Sequence, residues 1–280
     1  REIGEEKCFS RLLNSPGNFT AAKLAWVKDR EPETYGKIDT IMLPGDYIAY
    51  RMTGEIRTTP SGLSEGIMWD FQENGTASFL LDYFGFDESL IPKQVPNFGI
   101  QGTVTADAAG LLGIPDGTPV AYRAGDQPNN ALSLSVLDPG DIAATAGTSG
   151  VVYGIVDSPE YDSLSRVNSF VHVNHGKGSN RYGVLLCVNG TGILNRWMKE
   201  NLLSPGAGPL AYDEMNALAE GIAPGAEGLT VLPFGNGAER TLSNRDVGAS
   251  FHNLNFNIHT VPHMLRAGQE GIIFALQYGL

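Results

Sequence analysis

Apolar and polar positions alternate with two periods along this chain, and the switches between them mark its elements. Residues 19–30 carry a helical pattern with Leu24, Trp26 and Val27 as the expected core face. Residues 39–53 contain a second helix, with Pro44 suited to its first turn and Gly54 to its end. A polar, glycine-containing stretch, 58–74, ends at Trp69-Asp70-Phe71, and 75–84 predicts a short helix. From residue 99 short strand patterns enter: 99–104, then a helix over 106–112 stopped by Gly113, then a strand over 118–122 that delivers Gly125-Asp126. Helical spacing follows over 127–136. Two strand-like runs, 142–146 and 151–156, flank Gly147-Thr148-Ser149-Gly150 and predict a hairpin. The run 182–188 and the run 229–234, closed by Gly235-Asn236-Gly237, predict further strands. Residues 261–280 predict a long helix with Pro262 in its first turn and Met264, Leu265, Ile272 and Leu276 on its apolar face.

Interleaved strands and helices imply α/β layers, and the hairpin excludes a purely parallel sheet. Asp138-Pro139-Gly140 is the strongest punctuation, so the expected domains are 1–137 and 138–280.

Composition narrows the function classes. The chain has 280 residues, 42% of them hydrophobic, enough for a sizeable core. Its formal net charge of -12 argues against non-specific nucleic-acid binding, which needs cations to neutralise phosphate. A phosphorylated ligand would have to be held by local backbone N–H groups. Cys8 and Cys187 make no disulfide framework, and Cys187, in an apolar run, is expected to be a buried strand thiol. No apolar run reaches the roughly 18 residues of a membrane span. There is no secretory signal, so the expected setting is cytoplasmic, and the Asn-x-Thr triplets at Asn18, Asn74 and Asn189 are read as chance. With no initiator Met and abrupt ends, the chain reads as an internal piece of a longer protein.

Two segments could carry chemistry. Asp126 follows a strand and precedes a helix. One reading makes it the N-cap of that helix. The other makes it a carboxylate that accepts the proton of a hydroxyl as a phosphoryl group arrives. The hairpin downstream favours the second. Its turn, Gly147-Thr148-Ser149-Gly150, is either an ordinary turn or a small-residue loop whose N–H groups and hydroxyls hold phosphate. It is neither a P-loop, which needs GxxxxGK[ST], nor a nucleophile elbow, since residue 151 is Val. His172 and His175 lack ligand company, and strand alternation would put them on opposite faces, so a structural role is expected and no metal site is assigned. Glu239-Arg240 reads equally as a surface ion pair or as a loop facing a cleft. Trp26 and Trp197 are expected in the core.

Together these pieces resemble the FGGY family of carbohydrate kinases, with the likeness running over essentially the whole chain. Lys23-Leu24-Ala25-Trp26 with Pro32-Glu33 is similar to the family's first helix signature. Leu43-Pro44-Gly45-Asp46-Tyr47 with Met52-Thr53-Gly54 resembles its P-x-D-Y…L-T-G segment. Thr58-Thr59-Pro60-Ser61-Gly62 resembles T-D-x-S-x-A-S, with departures at Pro60 and Gly62. Gly125-Asp126-Gln127 is similar to G-D-Q, and Pro139-Gly140-Asp141 with Gly147-Thr148-Ser149 to the phosphate hairpin. Leu232-Pro233-Phe234 through Gly237 to Glu239-Arg240 resembles the xylulokinase branch's L-P-Y-x-x-G-E-R-T-P, with one extra residue before Glu239 and Leu242 in place of proline. Farther on, Asn253 stands where a glycine is usual, and Gly268-Gln269 are atypical.

The resemblance implies an actin-like ATPase fold of the ribonuclease H type, α/β, with two lobes of mixed sheets flanked by helices. It implies ATP and Mg²⁺ as cofactors and a sugar as substrate, D-xylulose first, with no nucleic-acid or membrane partner and a homodimer left open. Asp126 would be the general base and Gln127 would help orient the sugar. Gly147, Thr148, Ser149, Gly190, Gly192 and Asn195 would approach ATP. The family's D-x-G-T phosphate loop and its glycine-rich adenine segment are absent from these 280 residues, which alone are therefore expected to make a poor kinase. Two other readings fit: a non-catalytic actin-like nucleotide-binding module and a sugar-sensing pseudokinase. Asp126 separates them, because a binding module needs no proton acceptor.

Overall fold

The computed structural model describes residues 3–17, 19–176, 178–202 and 211–280. Asn18, first of the Asn-x-Thr triplets, lies outside them. The described chain forms two compact units. The first comprises Arg1–Ala143 with Tyr153–Val184, the second Ala144–Val152 with Leu185–Leu280. The chain passes from one to the other within the strands Ile142–Ala146, Gly150–Val156 and Tyr182–Val188. Residues 153–184 therefore pack with the first unit although they follow residue 138.

In the first unit, helices Thr20–Arg30 and Pro44–Thr53 form as the pattern predicts. Pro44 stands in the first turn, and Gly54 closes the second helix in the left-handed region, φ 73°. The stretch 58–74, given no element by the pattern, holds the short helix Pro60–Glu65 and the strand Trp69–Asp70. Strand Phe98–Thr103 pairs antiparallel with Pro119–Tyr122, and helix Ala106–Leu112 between them ends on Gly113. A four-stranded sheet runs in the order Ile142–Ala146, Gly150–Val156, Tyr182–Val188, Asn168–Val171.

His172 follows that last strand and is wholly buried, which bears out its structural role, although the two histidines lie beyond the strand whose alternation was to separate them. The Val136 carbonyl, 3.2 Å from Nε2, can only accept, so Nε2 carries the proton and Nδ1 accepts from Tyr153 Oη at 3.2 Å. Burial drives its pKa down to about 4.

In the second unit, strand Thr230–Phe234 pairs antiparallel with Gly248–His252 and supports helix Val261–Gly279. Leu194, Met198, Met215, Val231 and Leu265 make its core. The helix reaches that core with a small-residue face as well as the expected apolar one: Ala267, Gly268, Gly271 and Ala275 are buried beside Leu265. A Cβ on Gly271 would occupy the place of the Val231 carbonyl oxygen, so only glycine permits this approach.

Three expectations about burial are corrected. Trp26 is 57% exposed: Ala21 and Leu24 fix the inner face of its helix, and a residue two after Leu24 points away from it. Trp197 is 47% exposed because Leu194 and Met198 take the inner positions of helix Gly192–Leu202. Cys187 is only half-buried, its thiol pushed up chiefly by that burial. Among the described residues no helix is long and apolar enough to cross a membrane.

Candidate functional site

The first unit contains a cleft of about 320 Å³ whose walls include Leu43, Asp46, Glu65, Arg123 and Asp126. Its floor is set by helix Pro60–Glu65, which starts cleanly: Thr59 caps it by accepting the Gly62 N–H at 3.2 Å, and Pro60 pre-sets the first turn. Ser61 and Glu65, four apart, share one helical face. Ser61 Oγ accepts the Gly125 N–H at 3.1 Å, and the Glu65 carboxyl accepts the Asp126 N–H at 3.1 and 3.3 Å. The segment delivered by strand Pro119–Tyr122 is thus gripped at two successive amides, where helix Asp126–Ser133 begins.

This geometry removes the capping alternative for Asp126. Gly125 is the N-cap residue, with no side-chain cap bond, and Asp126 is the first helical residue. The job of satisfying the helix's leading N–H falls to Glu65, from another element. Asp126 is exposed at the cleft. Gln127, half-buried, does not line it.

Glu65 was not singled out by the sequence reading. Burial, then a hydrogen bond to the Asp126 side chain and that group's like charge, push its pKa up to about 8, against the pull of the Asp126 N–H. Near neutrality the protonated form of Glu65 is therefore favoured. The signal available in sequence was the i, i+4 pair Ser61 and Glu65 after an N-capping Thr59.

Asp46 and Arg123 were likewise missed as a pair. Asp46 sits in the first turn of helix Pro44–Thr53, accepts from Thr58 Oγ1 at 2.9 Å and lies 3.3 Å from Arg123 Nε. Burial pushes its carboxyl up while Arg123 opposes the shift. Burial also lowers the Arg123 guanidinium, with Asp46 opposing. Among the described residues, Nε and Nη2 of Arg123 have no hydrogen-bond partner. The cleft therefore presents one exposed carboxylate, one neutral acid and a buried ion pair, a donor and acceptor set suited to a small polyhydroxylated molecule.

The second unit has its own cavity of about 280 Å³, lined by Gly147, Thr148, Gly192, Ile193, Asn195 and Arg196 among others. Four of the six residues expected to approach ATP meet here. Gly192 must lack a side chain because the Gly147 carbonyl occupies its Cβ position, and Ile193 N–H donates to the Thr148 carbonyl at 3.1 Å. The turn is thereby locked against the start of helix Gly192–Leu202. Asn195 Oδ1 is buried without a partner among the described residues. Ser149 and Gly190 do not line the cavity; Gly190 is needed because the Pro233 carbonyl packs where its Cβ would be. Arg196, which the sequence reading passed over, adds a cation. A glycine turn, a helix start and an arginine fit a phosphate-bearing ligand.

Glu239 does not lie on the surface. It is buried and accepts the Asn189 N–H at 2.9 Å, fixing the loop before Gly190. Among the described residues no group of three or more His, Cys, Asp or Glu side chains is placed to hold a metal ion.

Residues 4–133 match the N-terminal domain of the FGGY family of carbohydrate kinases. The xylulose kinase of Bacillus subtilis (strain 168) is 28% identical over 278 residues, 97% of this chain and 54% of that protein. The gluconokinase of Bacillus licheniformis is 28% identical over 263 residues, 91% of this chain and 50% of that protein. The crystal structure of xylulose kinase from Rhodospirillum rubrum superposes with a TM-score of 0.86 at 28% identity, covering 99% of this chain and 55% of that one. The fold is accordingly the α/β, actin-like ATPase fold of the sugar kinases. The chain spans about half the length of the relatives it matches.

Proposed function

We propose that this chain, an FGGY-family carbohydrate kinase sequence, is the part of an ATP-dependent sugar kinase that holds the sugar and begins the nucleotide site. The observation that carries the reading is Asp126: a carboxylate exposed at a cleft, free of any capping duty, on a helix start gripped by Ser61 and Glu65. The first unit binds the sugar, with Gln127 beside Asp126, and the second binds ATP.

In the reaction, a sugar hydroxyl oxygen attacks the γ-phosphorus, the bond from that phosphorus to the β-bridging oxygen breaks, and ADP leaves. Asp126 accepts the hydroxyl proton. Gly147, Thr148, Gly192, Asn195 and Arg196 contact phosphate oxygens, with Ser149 and Gly190 shaping the loops that carry them. Mg²⁺ bound with ATP would offset the charge of its phosphates. The substrate class is a ketose, with D-xylulose going to D-xylulose 5-phosphate as the first assignment, supported by the xylulose kinases among the relatives. Because the chain spans about half of those relatives, low turnover is expected of the 280 residues alone.

The test is ATP-dependent ADP release by the whole protein against D-xylulose, L-ribulose, gluconate and glycerol. A kcat/KM for D-xylulose at least tenfold above the others supports the assignment. Preference for gluconate or glycerol reassigns the substrate, and no turnover with any of them contradicts the kinase reading.

A further inference from the structure

Beside Asp126 the cleft places a second carboxyl group, Glu65, where the proton transfer needs only one. Glu65 does not act as a mere spacer: its carboxyl accepts the Asp126 N–H at 3.1 and 3.3 Å and also hydrogen-bonds the Asp126 side chain, so it touches that residue at both ends. It also fills the space where a Cβ on Gly125 would stand, so the two segments close on each other without a gap.

We propose that Glu65 is a positioning residue for phosphoryl transfer, whose carboxyl holds the Asp126 amide and closes against Gly125, so that the Asp126 side chain is aimed into the cleft. The inference rests on the reading of Asp126 as proton acceptor. It goes beyond that reading by giving the base a partner that sets its direction. A like charge beside a buried carboxyl disfavours its ionised form, and so raises Glu65. Tyr153, whose ionisation burial disfavours, lies near Glu65, and Asp46 with Arg123 line the same cleft. Tyr153 ionises less readily for the presence of Glu65 and Tyr122. Below about 8 the Glu65 proton is in place; above it Glu65 becomes a second negative charge beside Asp126, and the donor is lost.

The experiment is the pH profile of kcat, from 6 to 9.5, for the whole protein and for Glu65→Gln, Glu65→Leu and Asp126→Asn. Glutamine keeps an N–H donor for the carboxylate and an oxygen for the amide, but does not titrate. Glu65→Leu should lower kcat by about ten- to hundredfold, the worth of a hydrogen bond to a charged group. Glu65→Gln should recover most of that loss and abolish the alkaline fall near 8. If Glu65→Leu does not fold, Glu65→Gln carries the test. An alkaline fall that persists unchanged in Glu65→Gln, while Asp126→Asn is inactive, overturns the role of Glu65 alone. An Asp126→Asn variant with parental turnover overturns the reading beneath it as well.

Discussion

Arg123 is 8% exposed and its charge is answered by Asp46 alone among the residues lining the cleft. A buried ion pair of this kind adds little net stability, because desolvation offsets the attraction, yet breaking it is costly because one charge is left stranded. Asp46→Ala should therefore destabilise the protein by about 3–5 kcal/mol in urea unfolding. Adding Arg123→Leu should restore much of the loss, and a double variant no better than the single would count against an ion-pair origin. His172 makes a second prediction. Folded, it binds its extra proton only near pH 4; unfolded, near the ordinary 6.5. The unfolded chain holds more protons between those values, so stability from neutral His172 is whole above 6.5 and is lost as pH falls toward 4. Chemical denaturation at pH 7, 6 and 5 should show that decline, with a shallower slope in His172→Gln. At this scale the sequence disclosed residues that sit in recognisable strings, such as Asp126 and the Gly147 turn. It hid Glu65 and Arg123, whose meaning lies in contacts between distant segments: Glu65 meets Asp126 across 61 positions.

Glycines decide how closely elements pack. Gly271, on the buried face of helix Val261–Gly279, lies against the Val231 carbonyl of strand Thr230–Phe234. Gly271→Ala gains about 1 kcal/mol of helix propensity but must push helix from strand, which costs about 1–3 kcal/mol or more. The clash is with backbone, which cannot swing aside, so net destabilisation is expected. Gly110, exposed in helix Ala106–Leu112 with nothing near its Cβ position, is the counterpart. Gly110→Ala should stabilise by about 0.4–1 kcal/mol. Opposite shifts in thermal midpoint for the two variants would check both. Element boundaries were legible wherever Pro or Gly punctuates the chain, as at Pro44, Gly54 and Gly113. Helix rotation was not: periodicity named apolar faces but placed Trp26 and Trp197 inside, when smaller neighbours on the same helices took the buried positions. The helix Pro60–Glu65 escaped notice because six residues carry too little period to stand out from a polar stretch.

For the molecule as a whole, each of the two units carries a cavity lined by residues of interest: Asp126 and Glu65 in the first, the Gly147 turn, Gly192 and Arg196 in the second. The kinase proposal gives the sugar to the first and ATP to the second, and the chain spans about half the length of the relatives it matches. The most direct measurement is single-turnover phosphorylation of the preferred sugar by the whole protein and by Asp126→Asn, with ATP affinity measured in parallel. General-base catalysis is worth on the order of 10²–10⁴ in rate. The account predicts a loss of that size in Asp126→Asn with ATP affinity unchanged. Parental turnover in Asp126→Asn would contradict it and leave Asp126 as a structural feature of a helix start.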